Sequence, residues 1–392
     1  MLKIGIVVQR YGIEVIGGAE TLARDVAQRL NASEFDVTVF TTTATDYITW
    51  ENHFTPGETL LKGVIVRRFN VDFQRDIGTF NEVSGRFFDP ENNVKEISEE
   101  EWIDLQGPVS TDLLEAVRQE EKNFDVFIFF TYLYYTTVKV LQILKKPAIL
   151  FPTAHEEAPI NMEIMKTVFT RPEGLLFLTE AEMELVKKKF SPPGKLVLAR
   201  TGVEIKEGTD ENYFRRNYRI ISPFILYAGR IEKGKGLELL FKAFEELRRH
   251  SVVDLVLMGK RLMDVPATDG IKYVGFVPEE DKISAFKGAV CSVQPSPLES
   301  LSITTLESFA QGTPVLVNRD CSVLMEHIDI SGGGLGFGSV DEFIQSFNEL
   351  YRNKRKRNRM GRNGFDYVSE FYSWDVVIKK ISDVIREIVS LS

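Results

Sequence analysis

The chain has 392 residues, 43% hydrophobic and 27% charged, a globular balance that excludes global disorder. Its 48 Lys and Arg against 57 Asp and Glu leave a formal net charge of −9, which argues against a general nucleic-acid binder. Two cysteines, Cys291 and Cys321, are too few for a disulfide scaffold, and no His/Cys cluster has metal-ligand spacing.

The chain opens on an apolar run, Lys3 to Val8, that reads as a strand, so no secretory segment is expected, and its longest apolar stretch, Phe124–Tyr135, is too short for a membrane span. These features predict a cytoplasmic protein, with peripheral contact at the inner face of a membrane left open. Short apolar runs then alternate with amphipathic ones, the pattern of parallel sheets with crossover helices. In the first half it predicts strands at Ile4–Val8, Val37–Thr41, Val64–Arg68, Val126–Phe130, Ala148–Phe151, Leu175–Leu178 and Leu196–Ala199. Helices are predicted at Ala19–Leu30, Leu113–Glu121, Tyr135–Leu144, Asn161–Phe169 and Ala181–Phe190. Residues 71–108, rich in aromatic and acidic side chains, break the pattern and read as a long loop, either a lid on the substrate side or a surface excursion. Polar, aperiodic text from Glu204 to Ser222 reads as a linker.

A second series follows, with strands at Phe224–Ala228, Val253–Met258, Ile271–Val274, Ala289–Gln294 and Pro314–Val317. Helices are predicted at Leu237–Arg249, Glu279–Lys287, Ile303–Gln311 and Val340–Tyr351, then a break near Phe371–Trp374 and a last amphipathic helix. This divides the chain into an N-terminal domain, 1–203, and a C-terminal domain, 204–374, with the helix of about 375–392 packing back on the first. Two doubly wound units imply a cleft, with ligands beyond the carboxyl ends of the strands.

Three motifs carry chemistry. Gly17-Gly18-Ala19-Glu20 opens the first helix, where glycines allow close backbone approach and the helix start favours an anion. It is not Gly-x-Gly-x-x-Gly, so a nicotinamide-dependent dehydrogenase is a weak reading. Gly229-Arg230 and Lys235-Gly236 lie on a glycine-rich turn after a strand, where a guanidinium fork and an ammonium suit a diphosphate. Glu299 to Glu307 follows the turn Pro295-Ser296-Pro297. Its carboxylates can accept from vicinal hydroxyls, and the N–H groups of Ser300, Leu301 and Ser302 can face an anion. His327 reads first as a surface histidine, with a supporting place behind the site as the alternative. The basic run Arg352–Arg362 reads as a solvated helix face.

In this order, with Ala310-Gln311-Gly312-Thr313-Pro314-Val315 after them and Pro152-Thr153-Ala154-His155 before, the motifs resemble the family 4 (group 1) retaining glycosyltransferases of the GT-B fold. Arg10 to Glu20 and Asp46 to Asn52 resemble a subgroup associated with surface-polysaccharide assembly. The resemblance implies two Rossmann-like domains facing a cleft and a hexose-type sugar moved from a nucleotide-diphosphate donor, of UDP or GDP type, to a glycan or lipid-linked acceptor. It implies that Arg230 and Lys235 clamp the diphosphate and that Glu307 accepts from the ribose. Glu299 would bind the transferred sugar with the backbone of Ser300, Leu301 and Ser302, and His155 would orient that sugar. Gly17, Gly18 and Gly229 would admit close approach. Asp46, Tyr47 and Trp50 are acceptor candidates. Many relatives have Gly-Phe-Gly where this chain has Ser300-Leu301-Ser302, which reshapes the sugar pocket.

No cofactor or metal is expected: the chain contains no Asp-x-Asp, and fixed cations can carry the leaving group. No carboxylate is placed as in a retaining hydrolase, so front-face attack is expected, with the departing phosphate taking the acceptor's proton. The rivals are a non-catalytic sugar-nucleotide-binding protein on the same fold and a GT-B epimerase or phosphorylase; nucleotide release and an absorbance scan for pyridoxal phosphate discriminate them.

Overall fold

The β-branched and aromatic runs at the centre of each sheet form strands that are buried on both faces, as parallel sheets covered by helices require. The computed structural model describes residues 1–15, 17–91, 96–206, 208–299 and 301–391. They divide into two units: Met1–Thr201 with Ile378–Ser392, and Gly202–Val377.

The first unit has eight strands: β1 (Leu2–Val7), β2 (Phe35–Thr42), β3 (Gly57–Leu61), β4 (Val64–Phe69), β5 (Val126–Phe130), β6 (Ala148–Phe151), β7 (Gly174–Phe177) and β8 (Lys195–Leu198). Their order is β3-β4-β2-β1-β5-β6-β7-β8, and all pairs are parallel except β3 with β4. The expected strands do not include β3, nor a strand at Gly334–Phe337 of the second unit. β3 is exposed along most of its length, so its Gly-Glu-Thr-Leu-Leu text carries no buried pattern; its antiparallel pairing closes the sheet edge.

The helix Gly18–Ala32 buries Leu22, Ala23, Val26, Ala27 and Leu30, the stripe its apolar spacing dictates. The helix Trp374–Ser390 buries Val377, Ile381, Val384, Ile385 and Ile388 in the same manner. From Ile378 onward it counts with the first unit, where Lys195 pairs with Glu387, Arg386 pairs with Glu34, and Lys380 donates to the Leu198 carbonyl at 3.5 Å.

Residues 71–108 are not the long loop expected. Their described residues hold two helices, Ile77–Phe87 and Glu99–Gln106. Asp76 caps the first by accepting from the Thr79 N–H at 2.6 Å, and Ser98 with Glu101 forms a capping box on the second. Phe87 and Trp102 are buried in the first unit's core, so these aromatic rings are packing groups. The expected linker likewise contains a helix, Tyr213–Tyr218, which buries Phe214 against Phe224.

The second unit has six strands: β9 (Phe224–Ala228), β10 (Asp254–Met258), β11 (Ile271–Gly275), β12 (Cys291–Gln294), β13 (Val315–Asn318) and β14 (Gly334–Phe337). They are all parallel, in the order β11-β10-β9-β12-β13-β14. The order reverses between β9 and β12, and ligands in such sheets bind at the carboxyl ends beside the reversal. The helices Leu237–Arg248 and Val340–Arg352 supply Leu240, Phe244, Phe343 and Phe347 to the core below it. Among the described residues, no helix is long and apolar enough to cross a membrane.

Candidate functional site

The loops after β9 and β12 meet at that reversal. Gly236 takes φ +72°, and a Cβ there would collide with the Pro295 carbonyl oxygen, so glycine is what lets the two loops touch. Asn318 fixes the same turn from β13, its amide donating to the Pro295 carbonyl at 2.9 Å. Gln294, the last residue of β12, donates to the Ala228 carbonyl at 3.3 Å and to Thr304 Oγ1 at 2.6 Å. That ties β9, β12 and the helix Ile303–Ala310 together.

This framework brings predicted site residues into contact. Lys235 Nζ lies 2.7 Å from Glu299 Oε1, so a cation of the first loop and a carboxylate of the second form a part-buried ion pair. Gly229, at φ +152°, turns the chain out of β9 into Arg230, which is exposed and pairs with Glu232 at 3.1 Å. The Tyr227 hydroxyl donates to the Arg230 carbonyl at 2.7 Å and holds the turn. Burial, with Glu299 and Glu232 nearby, pushes that phenol above its ordinary range, so it stays a donor.

Glu307, in the second turn of the helix, accepts from Lys282 Nζ at 2.7 Å, and Lys282 also reaches Glu279 at 2.9 Å. Burial pushes the Glu307 carboxyl up, with Lys282 opposing. Burial works against the Lys282 charge, but Glu307 and Glu279 outweigh it and hold that ammonium above its usual value. Lys282 lies on a separate helix, Glu279–Gly288, and no local spacing in the sequence signalled it.

Leu301 and Ser302 are buried, and Ser302 holds φ +60° as the residue before the helix, with its hydroxyl 2.9 Å from Thr305 Oγ1. Ser300 lies outside the described residues. His327 is not the surface histidine expected: it is 2% exposed and bonded on both ring nitrogens, to the Leu301 carbonyl and to the Tyr367 hydroxyl. Its helix, Ser322–Ser331, turns that face inward.

The remaining candidates lie in the first unit. Gly17 precedes the helix Gly18–Ala32, and a Cβ there would meet the Glu20 carboxylate; Gly18 faces open space. Glu20 is buried, accepts from Gln9 Nε2 at 2.8 Å and pairs with Arg10. Asp46 accepts from the N–H groups of Ile48 at 2.7 Å and Thr49 at 2.8 Å. Burial works against its charge, but these bonds outweigh it and hold its carboxyl below the usual range. Tyr47 is half-exposed, with the Arg10 guanidinium 5.5 Å from its ring. Trp50 is 1% exposed and its indole donates to the Gln106 carbonyl at 2.8 Å, so its place is in the packing of the first unit.

His155 is exposed on the loop after β6. That loop is held by Glu182, a buried carboxylate which accepts from the N–H groups of Ala154 at 2.8 Å and Leu178 at 2.9 Å. Among the described residues, no group of three or more His, Cys, Asp and Glu side chains is placed to hold a metal ion.

Residues 212–367 match the family model described as "Glycosyl transferases group 1". An uncharacterized glycosyltransferase of Methanocaldococcus jannaschii is 28% identical over 173 residues, 41% of this chain and 44% of that protein. A GDP-mannose-dependent monoacylated alpha-(1-6)-phosphatidylinositol monomannoside mannosyltransferase of Corynebacterium glutamicum is 20% identical over 250 residues, 58% of this chain and 66% of that one. The match thus spans between 44% and 66% of these relatives' own length. Sucrose-phosphate synthase from Thermosynechococcus elongatus shares the fold over the whole of both chains at 15% identity, with a TM-score of 0.74. Anabaena HepE in complex with UDP and glucose is similar over 99% of this chain and all of its own at 14% identity, with a TM-score of 0.67. The chain therefore has the GT-B fold, and the family it resembles is that of the group 1 glycosyltransferases.

Proposed function

We propose that this chain is a glycosyltransferase that takes a hexose-type sugar from a nucleoside-diphosphate donor held by its second unit. The carrying observation is the Lys235–Glu299 pair at 2.7 Å, at the carboxyl ends of β9 and β12, with Arg230 on the same loop. Without a donor, Glu299 neutralises Lys235. A diphosphate offers that ammonium more negative charge, and Glu299 is then released to accept from hydroxyls of the sugar. Arg230 is itself exposed and gives up a single side-chain partner, Glu232; a pair with one exposed member contributes little, so its recruitment costs little. Glu307, held by Lys282, accepts from the ribose hydroxyls.

As the glycosidic bond breaks, negative charge grows on the diphosphate. Fixed cations aimed at such charge are the largest single contribution to many transfers, and losing one contact costs about a hundredfold or more in rate. In this reading Arg230, Lys235 and the start of the helix Ile303–Ala310 do that work without a metal. The reaction retains anomeric configuration by front-face attack, with the departing phosphate taking the acceptor's proton. His155, Gly17, Gly18, Asp46 and Tyr47 serve the sugar and the acceptor, a glycan or lipid-linked saccharide of surface-polysaccharide synthesis. Likeness to proteins described with UDP and with GDP-mannose supports a donor of either base.

The test is a thermal-shift panel of UDP, GDP, ADP and dTDP, each with a corresponding sugar nucleotide. One nucleotide family should raise the melting temperature, and Arg230→Ala and Glu307→Ala should each abolish that shift. A panel without effect on the wild type removes the reading. Product NMR showing an inverted anomer removes the retaining mechanism.

A further inference from the structure

The Leu301 carbonyl is bonded by a residue far away in sequence. His327 Nε2 lies 2.7 Å from it, and a carbonyl only accepts, so that nitrogen carries the proton. In the neutral ring Nδ1 is then an acceptor, and it faces the Tyr367 hydroxyl at 3.1 Å. That hydroxyl in turn lies 3.1 Å from the hydroxyl of Tyr372. With the ring neutral, the row runs one way: Tyr372 donates to Tyr367, Tyr367 to His327, and His327 to Leu301. The three rings pack as a cluster, with centroids 5.2 to 6.0 Å apart. At the far end the Tyr372 carbonyl accepts from the Val203 N–H at 2.8 Å, and Val203 bridges Ser373. The row therefore starts beside Gly202 and Val377, where the chain enters and leaves the second unit.

A peptide unit is rigid and planar, and in its trans form the C=O and N–H point in opposite directions. The Leu301 carbonyl and the Ser302 N–H belong to one such unit. Pinning the carbonyl to a buried histidine therefore aims the Ser302 N–H the other way. Ser302 also holds a left-handed φ that a non-glycine residue keeps only when its surroundings hold it there. The serine is held by Thr305 on one side and, through the preceding carbonyl, by His327 on the other.

We infer that His327, supported by Tyr367 and Tyr372, is a positioning residue that orients the Leu301–Ser302 peptide toward the sugar of the donor. The inference rests on the donor-site reading above and adds a specific role: His327 acts on the sugar part of the donor, not on its nucleotide.

The test compares full-length wild type, His327→Leu, His327→Gln and Tyr367→Phe. Each is titrated with UDP, GDP, ADP and dTDP and with a sugar nucleotide of each. The quantity read is the ratio of sugar-nucleotide to nucleoside-diphosphate affinity. For His327→Leu, nucleoside-diphosphate affinity should stay within about twofold, while sugar-nucleotide affinity should fall about tenfold, the scale of one lost hydrogen bond. His327→Gln, whose amide can donate to the same carbonyl, should recover most of the loss. An unchanged ratio in folded His327→Leu, or an equal loss of both affinities, overturns the inference and leaves the donor site standing. If that variant does not fold, Tyr367→Phe decides on the same ratio. Wild type that binds none of the panel removes the donor reading, and this inference with it.

Discussion

At the scale of single residues, charges in this chain are held by neighbours that a ligand can replace or by neighbours that it cannot. Lys235 and Arg230 belong to the first kind, because their partners are side chains on loops. Glu182 belongs to the second, because backbone N–H groups of Ala154 and Leu178 hold it inside the first unit. Burial pushes its carboxyl up to about 7 against those N–H groups. A carboxyl raised on folding contributes stability below its unfolded value, and loses that contribution as pH rises through the folded value. The wild type should therefore lose melting temperature relative to Glu182→Gln between about pH 5 and pH 8, the window set by those two values. Parallel melting curves of the two proteins across that range would refute it.

At the scale of elements, the segment 71–108 shows what sequence pattern reveals and what it hides. The helix Glu99–Gln106 has a legible start in Ser98-x-x-Glu101, and Asp76 marks the start of Ile77–Phe87. Scattered glycines, Gly78 and Gly85, and eight- and eleven-residue lengths hide the apolar stripes that follow. Trp102 stacks on Phe87 at 6.5 Å and donates to Ser84 at 2.9 Å, tying the two helices together. Trp102→Ala should cost about 3–5 kcal/mol and Ser98→Ala about 1 kcal/mol, read by denaturant unfolding. A Trp102→Ala variant as stable as wild type would return this segment to the status of a surface loop. Strands such as β5, β6 and β9 were readable because each is an apolar run buried on both faces, whereas β14, with its alternating Gly-Leu-Gly-Phe, was not. The exposed β3 was not, having no buried face to encode. The site divides in the same manner. Arg230, Lys235, Glu299 and Glu307 stand in motifs with fixed local spacing. Lys282 reaches Glu307 and His327 reaches the Leu301 carbonyl from other helices, and only the fold brings them there.

At the scale of the molecule, identities of 14% and 15% to proteins that share the whole fold show that the pattern of strands and turns is kept while almost every side chain changes. Composition follows the same logic, since it excludes classes of protein without naming one. The first unit is discontinuous, because residues 378–392 return to it after the second unit. Ile381, Ile385 and Ile388 are buried there, and fully burying such side chains is worth about 1.5–3 kcal/mol each. A chain ended after Val377 should therefore lose protection in the first unit, seen as faster amide exchange in β7 and β8. Unchanged exchange there would show the helix to be dispensable. The discontinuity also bears on synthesis. A ribosome delivers all of residues 202–377 before the closing helix of the first unit exists, so a nascent first half waits, with an apolar groove uncovered, while its neighbour is translated.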